Sequence, residues 1–295
     1  MEIGGTYPML YAFFDEAGAL RRDAVARQIG AAIASGAAGI AVLGLGTEAN
    51  KLGLKERRSL VEWTLADTAG RKPVAVTVGD GNVPDMIESA RFAADGGAAW
   101  LILQPPRPPA SGADLLKLFG AVADSVDCPV GIQNAPEFLG IGLSADEIGE
   151  LNRRHANIVV VKAEASAVGV GRIVAALGDR MKIFNGRAGL ELTDNFRAGV
   201  DGMIPGMETI DLQVAVETAM RAGDEPAAEA HYRKLLPAVC FIMQGLAQLV
   251  LYGKLIAAHR LGLVPSTDRS PTDIATPQGL AWAKRFAAEL GPLPA

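Results

Sequence analysis

Apolar and polar positions follow two alternating periods over the first two-thirds of the chain. Short apolar runs of strand type recur, and each is followed by a stretch with helical spacing. Thr6–Phe14 predicts a first strand, and Asp23–Ser35 a helix ended by Gly36. Gly39–Leu43, Pro73–Val78, Ala99–Leu103 and Pro129–Gln133 read as the second to fifth strands. Lys55–Ala69, Pro84–Ala94 and Asp114–Ser125 read as the helices between them. Ser144 with Glu147 three residues on forms a capping box for a helix over Ala145–Arg154. Ile158–Val161 is a sixth strand and Ala167–Leu177 its helix. Met181–Phe184, a helix over Ala188–Ala198 and a weak strand Gly202–Ile204 complete the pattern.

Eight such repeats with short apolar strands predict a (β/α)8 barrel. A doubly wound open sheet is the alternative, but its glycine fingerprint is missing after the first strand, at Phe13-Phe14-Asp15-Glu16-Ala17-Gly18. After about Met207 the strand pattern stops. Leu212–Ala222, Ala227–Ala247, Leu249–Leu261 and Thr276–Leu290 read as helices. The expected organisation is a barrel over residues 1–206 and a C-terminal helical segment over 207–295, packed on the barrel or on a neighbouring subunit.

Composition narrows the function classes. An apolar share of 49% supplies a sizeable core, and a net charge of -5 with a pI near 5.4 argues against nucleic acid as a partner. No stretch reads as a secretory signal or a membrane span, so neither export nor a membrane is expected. Cys128 and Cys240 sit in apolar sequence, far apart, as structural thiols of a reducing cytoplasm would. The histidines, His155, His231 and His259, have no metal-ligand spacing, so no metal and no cofactor is expected, and a metal-dependent aldolase is disfavoured.

The candidate chemistry centres on Asn157-Ile158-Val159-Val160-Val161-Lys162-Ala163-Glu164. Four β-branched residues in a row read as a strand buried on both faces, and the run stops at a lysine. Desolvation there favours the neutral amine, a nucleophile toward carbonyl carbon. A lysine that simply marks a strand end in water is the other reading. In a barrel the active site lies at the carboxyl ends of the strands. Those ends supply Gly44, Gly46, Thr47 and Glu48; Gln104 and Arg107; Gln133 and Asn134; Lys162 and Glu164; Asn185, Gly186 and Arg187; and Ile204, Pro205 and Gly206. Of nine lysines, only Lys162 follows a fully apolar strand. The turn Gly44-Leu45-Gly46-Thr47 could hold a carboxylate on its backbone N–H groups, or be an ordinary tight turn.

These residues resemble the dihydrodipicolinate synthase / N-acetylneuraminate lyase family of Schiff-base lyases. Val42-Leu43-Gly44-Leu45-Gly46-Thr47-Glu48 is similar to the family's Gly-x-x-Gly-Glu turn, which holds the keto acid carboxylate. Leu52 and Lys55-Glu56-Arg57 resemble its Leu-Ser-x-x-Glu-Arg continuation, Pro129–Pro136 its Pro-x-x-x-Tyr-Asn-x-Pro segment, and Val161-Lys162 its Schiff-base strand. The resemblance implies a (β/α)8 barrel, an imine at Lys162, a small 2-oxo acid substrate and a homotetramer built from dimers. It implies substrate contacts at Gly46, Thr47, Glu48, Asn134, Asn185, Gly186 and Ile204, with Glu48 accepting backbone hydrogen bonds in the turn. Arg107 reads either as a bidentate grip on a distal carboxylate or as a solvated loop or subunit contact. Three positions depart from the family pattern. Gln133 stands where most members have a proton-relaying tyrosine, Phe138 near the synthases' arginine, and Arg107 where a second tyrosine falls. An amide cannot shuttle protons, so condensation of the synthase type is disfavoured. Gln133-Asn134-Ala135-Pro136 and Lys162-Ala163-Glu164 are similar to the patterns of 2-keto-3-deoxy-arabonate dehydratase-like members. That resemblance implies dehydration of a 2-keto-3-deoxy sugar acid, with Glu164 as a candidate to take the C3 proton, directly or through water; a partner for Lys162 or a charge at a helix N-terminus is the other reading of Glu164. Pyruvate-releasing retro-aldol cleavage and a catalytically weak 2-oxo acid binder are the rival expectations.

Overall fold

The computed structural model describes residues 2–295 apart from Asp80, 107–110, 266–268 and Pro271. The barrel runs β1 (Gly5–Thr6), α1 (Arg22–Ala34), β2 (Ile40–Val42), α2 (Leu54–Thr68), β3 (Val74–Val78) and α3 (Val83–Asp95). It continues through β4 (Trp100–Leu103), α4 (Gly112–Ala123), β5 (Val130–Asn134), α5 (Pro136–Leu139), α6 (Ala145–Arg154) and β6 (Ile158–Ala163). The last repeats are α7 (Ala167–Leu177), β7 (Lys182–Asn185), α8 (Leu192–Arg197) and β8 (Gly202–Met203). All eight strands are parallel, in the order β1-β8-β7-β6-β5-β4-β3-β2. Met9 bridges both Ala41 and Gly206, and this joins the two ends of the sheet into a barrel.

The expected first strand, Thr6–Phe14, is cut to two residues with isolated bridges beyond. Pro8 has no N–H to give to a ladder. The segment instead divides its bonds: Tyr7 and Met9 donate to Met203 and Pro205 on the β8 side, while the Pro8 carbonyl accepts from Ala41. Inside the barrel, Tyr7, Trp100 and Phe184 meet edge-on or tilted, with ring centroids 5.6–5.9 Å apart. Gly39 makes this possible, since a Cβ there would lie 2.0 Å from the Tyr7 ring. A separate, larger apolar layer lies between the strands and the surrounding helices. The Ser144 capping box on α6 forms as its spacing predicts.

Two further elements depart from expectation. The helix expected over Ala188–Ala198 is reduced to a turn of 3-10 helix followed by α8, because Ala188 and Glu191 are both left-handed, with φ of 50° and 53°. After β8 come α9 (Ile210–Arg221) and α10 (Glu225–Ile242). The helix expected to run to Ala247 stops at Ile242, and Gly245 is fully extended before the short α11 (Leu246–Gln248). Leu249–Gly253 is then π-helical, leading into α12 (Lys254–Leu261), with α13 (Pro277–Leu290) last. Such π turns are rare and gather at functional sites. Arg260 of α12 is 2% exposed; it bonds both Asp211 carboxylate oxygens and the Glu208 and Gly291 carbonyls, which ties the tail to the β8 loop. Among the described residues no single helix is long and apolar enough to cross a membrane. Cys240, expected in apolar surroundings, is exposed on α10.

Candidate active site

Lys162 lies inside β6, one position before the strand's last residue, rather than just beyond it. It pairs in register with Gln133 on β5 and Phe184 on β7. Side chains alternate along a strand, and Val160 belongs to the barrel interior, so Lys162 projects inward as well. Glu164 follows two residues on. Its Oε1 is 2.6 Å from Lys162 Nζ and accepts a 3.1 Å hydrogen bond from Gln133 Nε2. Lys162, Glu164 and Gln133 are all buried. Gln133 Oε1 has no hydrogen-bond partner among the described residues, a costly state for a buried acceptor. Gly186 leaves the room this carboxylate occupies: a Cβ there would sit 3.0 Å from Glu164 Cδ. A lysine amine, a carboxylate and an amide thus converge on one point at the carboxyl ends of β5 and β6.

The glycine turn after β2 is a run of 3-10 helix bounded by left-handed Leu43 and Glu48. Glu48, expected to accept backbone N–H groups, instead pairs with two lysines, Lys51 Nζ on one oxygen and Lys254 Nζ on the other. All three side chains are buried, which is tolerable because opposite charges meet at short range. Thr47 donates its hydroxyl to the Leu10 carbonyl at 2.6 Å and is fully buried. Its side chain therefore holds the turn rather than facing the cavity.

The remaining expected positions divide. Gly46 and Ile204 line the cavity at Lys162. Asn134 does not: both ends of its amide are engaged with the Leu143 backbone, at 2.8 and 2.9 Å, where they fasten the loop before α6. Asn185 is likewise committed, to the Ala165 carbonyl, the Asn195 side chain and the Gly186 N–H. Arg107 lies outside the described residues. Among the described residues no cluster of three His, Cys, Asp or Glu side chains is placed to hold a metal ion.

The cavity at Lys162 is also lined by Met9, Tyr11, Phe138, Arg187, Met243 and Leu249. Its volume is about 40 Å³, which holds roughly three waters, the size of a three-carbon oxo acid. A larger cavity of about 270 Å³ lies beside it, against Leu52, Arg57 and Gln104, but no lysine lines it. Arg187 has no role assigned from sequence. Its guanidinium reaches Glu191 at 3.4 Å and Glu137 at 3.6 Å, and its position on the cavity wall suits an anionic or hydroxylated ligand. Tyr11 and Glu208 are also missed by the sequence. The Tyr11 hydroxyl donates to Glu208 Oε2 at 2.7 Å, and both are fully buried. Burial, then the neighbouring charge of Glu208, holds the Tyr11 phenol well above its usual value. Burial pushes the Glu208 carboxyl up, against the opposing effect of the Tyr11 hydrogen bond. Only position at the end of β8 could have pointed to Glu208; no spacing rule joins it to Tyr11.

Comparison with known proteins gives this geometry a family. The chain is 30% identical over 239 residues to 4-hydroxy-tetrahydrodipicolinate synthase of Agrobacterium fabrum, covering 79% of this chain and 80% of that one. Its structure matches YagE of Escherichia coli K12, a prophage protein of the dihydrodipicolinic acid synthase family solved with pyruvate, at a TM-score of 0.91 and 24% identity, covering 98% and 99% of the two chains. It matches sialic acid aldolase of Ruminococcus gnavus at a TM-score of 0.89 and 20% identity, covering 97% and 96%. The dihydrodipicolinate synthetase family profile matches residues 2–280. This chain therefore belongs to the dihydrodipicolinate synthetase family, whose members are class I lyases and aldolases that act through a lysine Schiff base.

Proposed function

We propose that this enzyme dehydrates a 2-keto-3-deoxy sugar acid through an imine at Lys162. The observation that carries the reading is the Lys162–Glu164–Gln133 cluster, with a carboxylate 2.6 Å from the amine and an amide where a proton-relaying phenol is the common arrangement. The imine draws electrons from C3, and Glu164 accepts the C3 proton. The enamine then expels the C4 hydroxyl. Gln133 Oε1, buried and without a partner among the described residues, suits a donor hydroxyl of a polyol acid. Gly46 and the backbone of its turn hold the substrate carboxylate, with the doubly paired Glu48 fixing that turn. Arg187 takes the distal end of the acid. Retro-aldol release of pyruvate is the second reading; it is favoured by the likeness to YagE, provisionally named a 2-dehydro-3-deoxy-D-gluconate aldolase and 28% identical over 238 residues. Borohydride reduction in the presence of pyruvate and a panel of 2-keto-3-deoxy acids, read by intact mass and peptide mapping, tests both. The expected adduct is on Lys162 and is lost in Lys162→Ala. Water loss without pyruvate release identifies the dehydratase. Pyruvate release identifies the aldolase, and no adduct with any oxo acid overturns the mechanism.

A further inference from the structure

We propose that Tyr11 is the general acid of this site, protonating the departing C4 hydroxyl, and that Glu208 is the buried donor that reloads it. The inference rests on the dehydratase reading and completes it. Glu164 accounts for the proton removed from C3, but a hydroxyl must leave with a proton of its own, and the Gln133 amide has none to give.

Tyr11 is the phenol on the cavity wall, and its hydroxyl is held in place from three sides. Glu208 Oε2 lies 2.7 Å away. A Cβ on Gly206 would fall 2.6 Å from the Tyr11 hydroxyl and 2.1 Å from Glu208 Oε2. A Cβ on Gly253, in the π turn, would fall 2.7 Å from the same hydroxyl. Glycine at both positions is what admits the pair, and Gly206 itself lines the cavity. Glu208 Oε1 has no partner among the described residues, although the residue is fully buried. Arg260, whose charge acts on this carboxyl, spends its hydrogen bonds on Asp211 and on the main-chain carbonyls of Glu208, Leu290 and Gly291. Glu48, whose charge also acts on Tyr11, is itself held between Lys51 and Lys254, so a protonated Glu208 follows from its full burial and its Oε1, unpartnered among the described residues. These surroundings favour a Glu208 carboxyl that carries its proton, and a carboxylic acid behind the phenol makes the phenol a usable donor. An ionised Glu208 would instead oppose tyrosinate.

The protons balance. The C3–H bond breaks, its proton moves to Glu164, and its electron pair becomes the enamine double bond. The C4–O bond then breaks with its pair. The oxygen takes the Tyr11 proton and leaves as water while Tyr11 takes the Glu208 proton. The proton on Glu164 passes back to Glu208 through the released water. One water is lost and nothing is oxidised or reduced.

A leaving group that needs no proton separates acid catalysis from packing. Dehydration of the C4-hydroxy acid and fluoride release from its 4-fluoro analogue are measured for wild type, Tyr11→Phe and Glu208→Gln. Pyruvate trapping by borohydride and thermal melting are followed alongside. Both variants are near-isosteric, and the amide introduced by Glu208→Gln can still hydrogen-bond the phenol, as acceptor or as donor, but has no proton to pass on. In each, dehydration should fall by about 10²–10⁴-fold, the usual contribution of a general acid. Fluoride release should change by less than about fivefold, with trapping intact. Equal losses on both substrates, or retained dehydration in Tyr11→Phe, overturn the inference while leaving the dehydratase reading standing. A wild type that traps pyruvate yet dehydrates no sugar acid overturns that reading, and this inference with it.

Discussion

Replacing Glu164 by glutamine removes one proton acceptor and one buried ion pair, and leaves the side chain's shape intact. The new amide keeps a carbonyl oxygen where Oε1 now accepts from Gln133 at 3.1 Å, so the local hydrogen bond survives. The ion pair with Lys162, 2.6 Å long and buried, does not. Orphaning a buried charge costs about 3–5 kcal/mol when the charge cannot escape. The carbonyl oxygen of the new amide still accepts a hydrogen bond from the Lys162 amine, so the loss of stability should lie below that range. The catalytic loss should be larger. General-base assistance is worth about 10²–10⁴-fold, or about 3–5 kcal/mol on the barrier. The two effects therefore separate on different axes.

Three measurements make the test. Borohydride trapping of pyruvate reports imine formation, exchange of its methyl protons in D₂O reports C3 deprotonation, and dehydration reports the whole cycle. Glu164→Gln should trap normally, exchange at least about 100-fold more slowly, and dehydrate correspondingly less. Glu164→Asp, which withdraws the carboxylate by one methylene, should fall between. Exchange close to the wild-type rate would refute Glu164 as the C3 base. Loss of trapping together with exchange would show instead that its part is to hold Lys162.

Other expectations follow from the same residues. Gln133→Tyr should still trap pyruvate but should not gain condensation of pyruvate with aspartate semialdehyde, since Phe138 lines the cavity near where the synthases use an arginine; efficient condensation by the variant would overturn this. Burial raises the Glu208 carboxyl above its usual 4.5, so its contribution to stability is full below that value and is lost as pH rises through the folded-state value. Urea titrations across this window should show wild type losing stability relative to Glu208→Gln by up to about 1.4 kcal/mol per pH unit, and a pH-independent difference would count against a raised carboxyl. Leu280 and Trp282 on α13 are each 43% exposed, and apolar surface of this kind fits a subunit contact. Light scattering at micromolar concentration should give a tetramer, and a monomer throughout would refute it.

The barrel was legible because its strands and helices change hydrophobic period at nearly every boundary. Lys162 was legible as a charge that ends an apolar run, and Glu164 as a strand-end residue in a Lys-x-Glu pattern that resembles the dehydratase-like members. What escaped depends on contacts remote in sequence or on backbone shape. Glu48 looked like a turn residue because nothing in its neighbourhood announces Lys254, which comes from the far end of the chain. Thr47, Asn134 and Asn185 sit at strand ends as active-site residues do, yet they spend their polar groups on the loops. Sequence position cannot tell a side chain that faces a ligand from one that holds the loop beneath it. The left-handed Ala188 and the π turn at Leu249–Gly253 carry no compositional signal, and together they reshape the rim.

The charge pattern links these loops to the choice of substrate. The chain carries a net charge of -5, which repels an anionic acid at long range. Behind the glycine turn, cations gather instead. Lys51 and Lys254 both reach Glu48, and Arg269, over the Phe14 ring at 4.2 Å, pairs with Glu56. The two lysines are buried, where water screens a charge least. They hold Glu48 from both oxygens, and so fix the turn whose backbone N–H groups would meet a substrate carboxylate. A carboxylate draws on those N–H dipoles with its full charge, whereas a neutral carbonyl compound would gain little from them. Lys254 stands at the start of α12, directly after the π turn that also makes room for the Tyr11 hydroxyl. A single irregularity in the C-terminal helices thus positions a cation behind the proposed carboxylate site and a phenol on the cavity wall, so the tail belongs to the site as much as the strands do.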